Sequence, residues 1–235
     1  MRSKGNKDLF VFKQFQIDQR DCGMRISEDG ILLGAWADFS KNTHVLDLGC
    51  GTGLLSLMLA QRFPKLHITA IDIDPGAANR ARENVQNSPF RERIQVICAD
   101  FFSLDEGLLS GIDGIICNPP FFTEGIGSEN PSRSLARHES SFTLAQFSEL
   151  LKAFENIQEL RMILPFNRKT DHIEAYLPFH QEIAVRSNQE KLAHRKLLSF
   201  SRKPVLNTTK ELVIRNGTAY SEAFKNLCAA FYLDL

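Results

Sequence analysis

"HVLDLGCGTGLLSLMLAQRF", residues 44–63, decides the architecture. Five residues of strand character run into glycines at 49, 51 and 53, and an apolar stretch of helical length follows until Pro64 stops it. Such a unit turns a strand directly into a helix, and the pattern repeats on its carboxyl side. "HITAIDI" (67–73) is a second strand, and Pro75 opens a helix through "GAANRARENVQN". "IQVICAD" (94–100) and "GIDGIICN" (111–118) are a third and a fourth strand. Short apolar strands separated by helices require a parallel sheet covered on both faces.

Beyond the fourth strand lies a Gly-, Ser- and Asn-rich loop, "FFTEGIGSENPSRS" (121–134). "TLAQFSELLKAFENI" (143–157) is an amphipathic helix with Thr143 as its N-cap, and "LRMILPF" (160–166) is a fifth strand. A helix near 168–177, strands at 181–188, 196–203 and 210–216, and a closing helix at 221–233 complete the expectation. No internal repeat or low-complexity segment interrupts it.

The 235 residues suit one large domain or one domain with small additions, and 43% hydrophobic residues are ample for a core. No run of 18 apolar residues suggests a membrane helix, and the basic start "MRSKGNKDLFVFKQF" lacks the apolar region of a secretory signal. The cysteines at 22, 50, 98, 117 and 228 are odd in number and form no CxxC pair. Free buried thiols in a reducing cytoplasm are therefore expected, with neither a disulfide frame nor a metal site. Net charge is zero but unevenly spread. Residues 1–20 hold five Lys/Arg against two Asp/Glu, residues 21–128 eight against fourteen, and residues 186–215 eight against two. Basic flanks around an acidic centre are compatible with a nucleic-acid footprint, and equally with two solvated faces.

Glycines in a strand-to-helix turn permit close approach of a ligand, and the helix start offers free N–H groups. The spacing GxGxG differs from the GxGxxG of dinucleotide sites, so a nicotinamide cofactor is not the first choice. The second strand ends in Asp72, where an acid would accept hydrogen bonds from ribose hydroxyls. The third ends in Asp100-Phe101, where an acid can accept from an adenine amine while a ring lies against the base. Each acid taken singly is a strand-end cap. Their coincidence at the carboxyl ends of successive strands, where open α/β sheets bind ligands, points to a nucleoside-containing cofactor.

The fourth strand stops at "ICNPPFF" (116–122). Two prolines hold the chain extended and display Asn118 with an aromatic beside it. The amine on a base is a poor nucleophile because its lone pair is delocalised into the ring. An Asn118 side-chain oxygen and a Pro119 carbonyl, both accepting from that amine, favour a tetrahedral nitrogen with an available lone pair. Phe121 offers a stacking face for a base displayed outside a helix. The stretch is suited to holding a planar amine in line with a methyl donor.

With these motifs in order, "VLDLGCGTG", "IDID", "AD-F" and "NPPF", the sequence resembles the class I S-adenosylmethionine-dependent methyltransferases that carry an NPPF/NPPY motif. The resemblance implies a Rossmann-like fold with a mostly parallel seven-stranded sheet and helices on both faces. It implies S-adenosyl-L-methionine as cofactor, with the loop of Gly49, Gly51 and Gly53 at the methionine portion, Asp72 at the ribose and Asp100 with Phe101 at the adenine. Asp47, Ile73 and Asn118 count among the cofactor-binding residues. Asn118, Pro119, Pro120 and Phe121 would form the target-amine site.

"FVFKQFQIDQRDCGMRISEDGILLGAWA" (10–37), "LARHESSFTLAQF" (135–147) and "YSEAFKNLCAAFYL" (220–233) are also similar to the bacterial tRNA(Val) adenine-37 N6-methyltransferases, nearly end to end. That family implies an N-terminal segment, 1–40, which closes the cofactor pocket through Ser27, Gly30 and Leu33, and a methyltransferase domain at 41–235. Ser27-Glu28-Asp29 departs from the Gly-Thr-Asp expected before the glycine. A tRNA(Val) anticodon stem-loop is the expected partner, with a single chain as the active unit and no membrane. Arg2, Lys4, Lys7, Arg133, Arg137, Arg195, Lys196, Arg202 and Lys203 are the expected RNA contacts, gripping phosphates without reading sequence. His138 is not expected to act as a base, because the methylated amine can lose its proton to water. The competing readings are transfer to a ribosomal guanine N2 or a release-factor glutamine, and a catalytically silent RNA-binding or cofactor-sensing module.

Overall fold

The structure, a computed structural model, describes residues 8–20, 22, 25–104, 106–119, 144–203 and 207–234. Its centre is β3 (His44–Leu48), in which only His44 is not fully buried. Parallel neighbours flank it: β4 (His67–Asp72) and then β5 (Ile94–Cys98) on one side, β6 (Gly114–Cys117) and then β7 (Glu159–Pro165) on the other. β9 (Arg195–Ser201) pairs antiparallel with β7 and with β8 (Phe179–Asn188). Beyond β8 a parallel β10 (Thr208–Asn216) and a short antiparallel β11 (Ala219–Tyr220) close that side. The order is β11-β10-β8-β9-β7-β6-β3-β4-β5. β3 to β9 make the mostly parallel seven-stranded sheet that was expected, and β10 with β11 extends it outward as a hairpin.

Alternate side chains of a strand point to opposite faces, and two separate cores result. Val45 and Ile116 belong to one; Leu46, Leu48, Ile115 and Cys117 belong to the other. On the first face lie α1 (Glu28–Trp36), α2 (Leu54–Arg62), α3 (Pro75–Gln86) and α7 (Glu222–Cys228), whose buried residues share that core. Leu109 of α4 (Glu106–Leu109), Phe147 and Leu151 of α5 (Leu144–Ala153) and Ile173 of α6 (Asp171–Glu174) cover the second. A separate hairpin, β1 (Leu9–Val11) with β2 (Gln16–Asp18), places Phe12, Phe15 and Ile17 in the first core. None of the described helices is long and apolar enough to cross a membrane.

Helix starts follow from local chemistry. Ser27 Oγ accepts from Gly30 N (3.2 Å) at α1, Asp74 Oδ1 from Gly76 N (2.9 Å) at α3, and Ser221 Oγ from Phe224 N (3.1 Å) at α7. Several elements are shorter than their patterns, among them α5, which ends at Ala153, and β5, which ends at Cys98. β6 begins at Gly114 because the Asp113 carboxylate turns back to accept from Asn42 Nδ2 and from the Thr43 and His44 amides. α7 ends at Cys228 because the next carbonyls are taken elsewhere: Ala229 O by Lys13 Nζ, Ala230 O by Gln61 Nε2 and Phe231 O by Lys13 N. The helix expected over 168–177 is one turn, Asp171–Glu174, leaving 166–170 as a loop.

α1 and α2 cross closely at Gly34, where an added Cβ would stand 2.6 Å from Met58 Sδ and 3.1 Å from Met58 Cβ. Met58 is fully buried, so there is little room to yield. Gly34→Ala is expected to destabilise the protein by about 1–3 kcal/mol through overpacking. Urea unfolding should show a smaller effect of the same change in a Met58→Ala background, where the obstructing sulfur is gone.

Candidate active site

The glycine loop that follows β3 is strapped to the neighbouring strand. Gly49 N and Cys50 N both donate to Ile71 O at 2.9 Å, and Gly51 N donates to Asp72 Oδ2 at 2.8 Å. Gly49 and Gly51 take φ of +71° and +55°, which L side chains rarely adopt. A Cβ at either would meet nothing within 4 Å, so open space lies over the loop. Below it, Asp47 is wholly buried, and its Oδ2 accepts from Ser56 N (3.0 Å) and Ser56 Oγ (2.6 Å). Its Oδ1 has no hydrogen-bond partner among the described residues. Burial pushes the Asp47 carboxyl up to about 6, against the pull of the two Ser56 bonds.

Asp72, half-buried at the end of β4, is also raised, by burial first. Its Oδ1 accepts from Asp74 N at 3.0 Å. A carboxylate has about four acceptor positions, so both oxygens keep capacity for a ligand hydroxyl. Ile73 beside it is 53% exposed, a large apolar side chain at the rim. Asp100 is exposed at the end of β5, whereas Phe101 is 6% exposed and belongs to the core that also holds Leu48 and Ile71. At this end, therefore, Ile73 offers the exposed apolar surface and Phe101 supports from within.

Asn118, half-buried, follows β6, and Pro119 is buried. The amino-terminal segment reaches them: an added Cβ on Gly30 would lie 3.0 Å from Leu54 Cδ2, 3.7 Å from Ser27 Oγ and 3.8 Å from Asn118 Nδ2. Gly30 thus lets α1 approach both the first residue of α2 and the Asn118 amide. Leu33 is fully buried and packs in the core. Pro120, Phe121, Arg133, Arg137 and His138 lie outside the described residues, as do Arg2, Lys4 and Lys7.

The remaining basic candidates separate by edge. Arg195 pairs opposite Pro165, so Arg195 and Lys196 stand at the edge where the parallel strands end. Arg195 Nε donates to Asp29 Oδ2 at 2.9 Å, and Lys196 Nζ stands 3.8 Å from Glu182. Arg202 and Lys203 follow Ser201, which pairs opposite Glu159 at the other edge of the sheet. Arg202 donates to the carbonyls of Ile157, Tyr176 and Leu151 at 2.8–3.2 Å and so ties loops together; Lys203 is exposed.

Ser56 and Asn84 complete the site without having been singled out by motif. Asn84 Nδ2 donates to Thr52 O (2.9 Å) and Asp18 O (3.0 Å), and its Oδ1 accepts from Asp18 N (2.9 Å). One buried amide thus joins the glycine loop to the N-terminal hairpin. Its signal in the sequence is an Asn at helical spacing with Ala77, Ala81 and Val85, a polar residue on an otherwise apolar face. The residues fit a nucleoside-containing methyl donor: an open glycine loop, a carboxylate with acceptor capacity to spare and an exposed apolar rim lie together at the ends of β3 and β4.

Comparison with known proteins agrees. Residues 30–138 match the family model "Methyltransferase small domain". The tRNA1(Val) (adenine(37)-N6)-methyltransferase of Vibrio vulnificus is 38% identical over 242 aligned positions, covering 100% of this chain and 98% of its own. Among solved structures, a predicted O-methyltransferase, protein Atu636 from Agrobacterium tumefaciens, superposes with a TM-score of 0.65 at 18% identity, covering 86% of this chain and 96% of its own. TrmK of M. capricolum, in complex with S-adenosyl-homocysteine, superposes with a TM-score of 0.51 at 16% identity, covering 79% of this chain and 72% of its own.

Because the folded state holds the Asp47 proton above its ordinary 3.8, at about 6, it binds that proton more tightly than the unfolded chain does. The stabilisation is complete below about pH 4 and is lost as pH rises through about 6, a loss of about 3 kcal/mol at ~1.4 kcal/mol per unit. Asp47→Asn removes this titration. Thermal melts between pH 4.5 and 7 should show a smaller decline of Tm for the variant than for the parent protein.

Proposed function

The chain belongs to the tRNA1(Val) (adenine(37)-N6)-methyltransferase family, and on that footing we propose how its own residues carry the reaction. The protein is an S-adenosylmethionine-dependent enzyme that methylates the N6 amine of an adenine in tRNA(Val). The observation that carries the residue assignment is the meeting of Asn118 with the glycine loop and Asp72 along one sheet edge.

When bound, S-adenosylmethionine supplies a methyl group made electrophilic by its sulfonium. Asp72 would accept from the ribose hydroxyls and Asp100 from the adenine amine, with Ile73 against the base. Gly49, Gly51 and Gly53 leave room for the methionine portion, while Ser27 and Gly30 close the pocket from α1. The target amine donates to the Asn118 side-chain oxygen and the Pro119 carbonyl, which hold its nitrogen towards the donor. Asn118 suits this because a neutral acceptor orients the amine without binding its proton. The amine's surplus proton leaves to water after transfer, so no strong base is needed. Most of the acceleration then comes from positioning in a desolvated slot. Pro120 and Phe121, outside the described residues, are assigned to this site from the sequence motif alone, Phe121 as the stacking partner of the base. The substrate segment is the anticodon stem-loop, met by a single chain in the cytoplasm, with Arg2, Lys4, Lys7, Arg133, Arg137, Arg195 and Lys196 towards its phosphates.

Methyl-labelled cofactor and unmodified valine tRNA should give N6-methyladenosine, with no label in a tRNA carrying guanine at position 37. Label appearing instead in ribosomal RNA or a release factor would keep the cofactor assignment and overturn the substrate. Asn118→Ala should lower turnover on the order of 10²–10³-fold, by analogy with losing one preorganised polar group, and leave S-adenosylhomocysteine affinity within about threefold. Asp72→Ala, which removes a charged acceptor, should weaken calorimetric S-adenosylhomocysteine binding by about 10- to 100-fold.

A further inference from the structure

The loop after β7 and the turn between β8 and β9 stand at the same sheet edge as Asn118. Cys117 pairs with Met162, which puts Asn118 level with Ile163 and leaves Phe166 three residues further out. Strand spacing of ~4.8 Å and a rise of ~3.3 Å per residue place the two backbones about 11 Å apart. The two loops are fixed to each other and within themselves. Phe166 N donates to His194 O at 3.1 Å, Arg186 Nε to Lys191 O at 2.7 Å, and Lys191 N to Asn188 Oδ1 at 3.0 Å.

On this surface Phe166 is 41% exposed, an aromatic ring held at the tip of a short loop. Arg168 and Lys169 follow it in the same loop, and Lys191 stands in the adjoining turn. Other cations at this edge are matched: Arg195 with Asp29 at 2.9 Å, Arg186 with Glu211 at 3.5 Å and Lys196 with Glu182 at 3.8 Å. Among the described residues no carboxylate lies within ion-pair distance of Arg168, Lys169 or Lys191. Phe166, Lys169 and Lys191 are exposed and Arg168 is half-buried, so an aromatic face and three cations stand open on one surface. Single-stranded RNA is bound by this combination, an aromatic face for a base beside cations for the flanking phosphates.

We propose that Phe166, Arg168, Lys169 and Lys191 form an RNA-binding surface beside the methyl-transfer site. Phe166 stacks on an unpaired base near the target adenine, and the three cations hold the phosphates around it. The inference rests on the tRNA reading above and adds to it a set of contacts on the β7 loop and the β8–β9 turn. The short distance to Asn118 lets one loop of RNA engage both places. It also explains how the substrate is oriented without motif residues, because phosphate contacts fix register while the stacked base fixes the loop.

The test is tRNA binding by the full-length protein, followed by fluorescence anisotropy over a series of salt concentrations, with S-adenosylhomocysteine affinity measured for every variant. Phe166→Ala should weaken valine tRNA binding about 10-fold through lost stacking, whereas Phe166→Trp retains it. R168A/K169A/K191A should flatten the slope of log affinity against log salt by about 2. K41A/K65A, exposed cations ahead of β3 and β4 at the opposite edge, should leave that slope in place. Cofactor-product affinity should stay within twofold throughout. If the parent protein methylates valine tRNA while Phe166→Ala and the triple variant bind it as tightly as the parent, this surface is wrong and the enzyme reading stands. If the parent transfers no methyl group to tRNA, the tRNA reading falls, and the surface as an RNA site falls with it. Preferential binding of an acidic peptide over tRNA by this surface would also overturn it.

Discussion

The site depends on how the glycine loop after β3 is held. A turn of three closely spaced glycines has large conformational freedom in the unfolded chain, and ordering it is costly in entropy. Two carboxylates offset that cost from different sides. Asp47, buried under the loop, binds the amide and hydroxyl of Ser56 and fixes where α2 begins. Asp72, on the next strand, takes Gly51 N, while Ile71 O takes two further loop amides. The loop is thereby registered to β3, to α2 and to β4 together. A buried acid is an expensive anchor, as its raised pKa shows. That expense makes the arrangement specific, since a slipped loop would leave the carboxylate with no partner at all.

The amino-terminal segment uses the same logic at one remove. It has little regular structure, yet Phe12, Phe15 and Ile17 are buried, and Asn84 binds both its Asp18 backbone and Thr52 of the glycine loop. Farther along, Gly30 brings α1 against Leu54 and the Asn118 amide. The segment therefore touches both the glycine loop and the Asn118 amide. This gives a physical sense to a short N-terminal addition: it joins the two halves of the site instead of forming a module beside them.

Much of this was legible in the sequence because strand-and-helix alternation and Gly/Pro punctuation are local signals. β3, β4, α3 and β7 lie within about two residues of their patterns for that reason. What was not legible depends on distant partners. The length of α7 could not be read, since its following carbonyls are claimed by Lys13 and Gln61. The β10 strand was read at 210–216, but the short β11 that pairs with it antiparallel was not, because it follows from pairing and not from composition. Phe101 follows a strand-end acid as a base-stacking ring would, but its position in the helical turn turns it into the core. Asp72 and Asn118 were legible as strand-end residues, whereas Asn84 reads as an ordinary polar helix position until Asp18 and Thr52 are seen beside it.

Basic residues show most clearly why one dimension is not enough. Arg195, Lys196, Arg202 and Lys203 fall within nine positions and read as a single positive run. A strand of seven residues, however, spans about 20 Å, the full height of the sheet. β9 therefore delivers the first pair to the edge that carries Asn118 and the second pair to the opposite edge. On the near edge, Arg168 and Lys169 follow the exposed Phe166 in one loop, and a backbone hydrogen bond from Phe166 to His194 joins them to the turn that carries Lys191. Counting charges along the chain overstates the first group and misses the second. For a protein whose substrate is a polyanion much larger than its active site, the edge on which a cation stands matters more than its place in a run. Field strength falls off within about a Debye length, ~8–10 Å in physiological salt. Among the described residues, the cations at the carboxyl edge are the ones within such a distance of Asn118's end of the sheet, and those at the opposite edge are not.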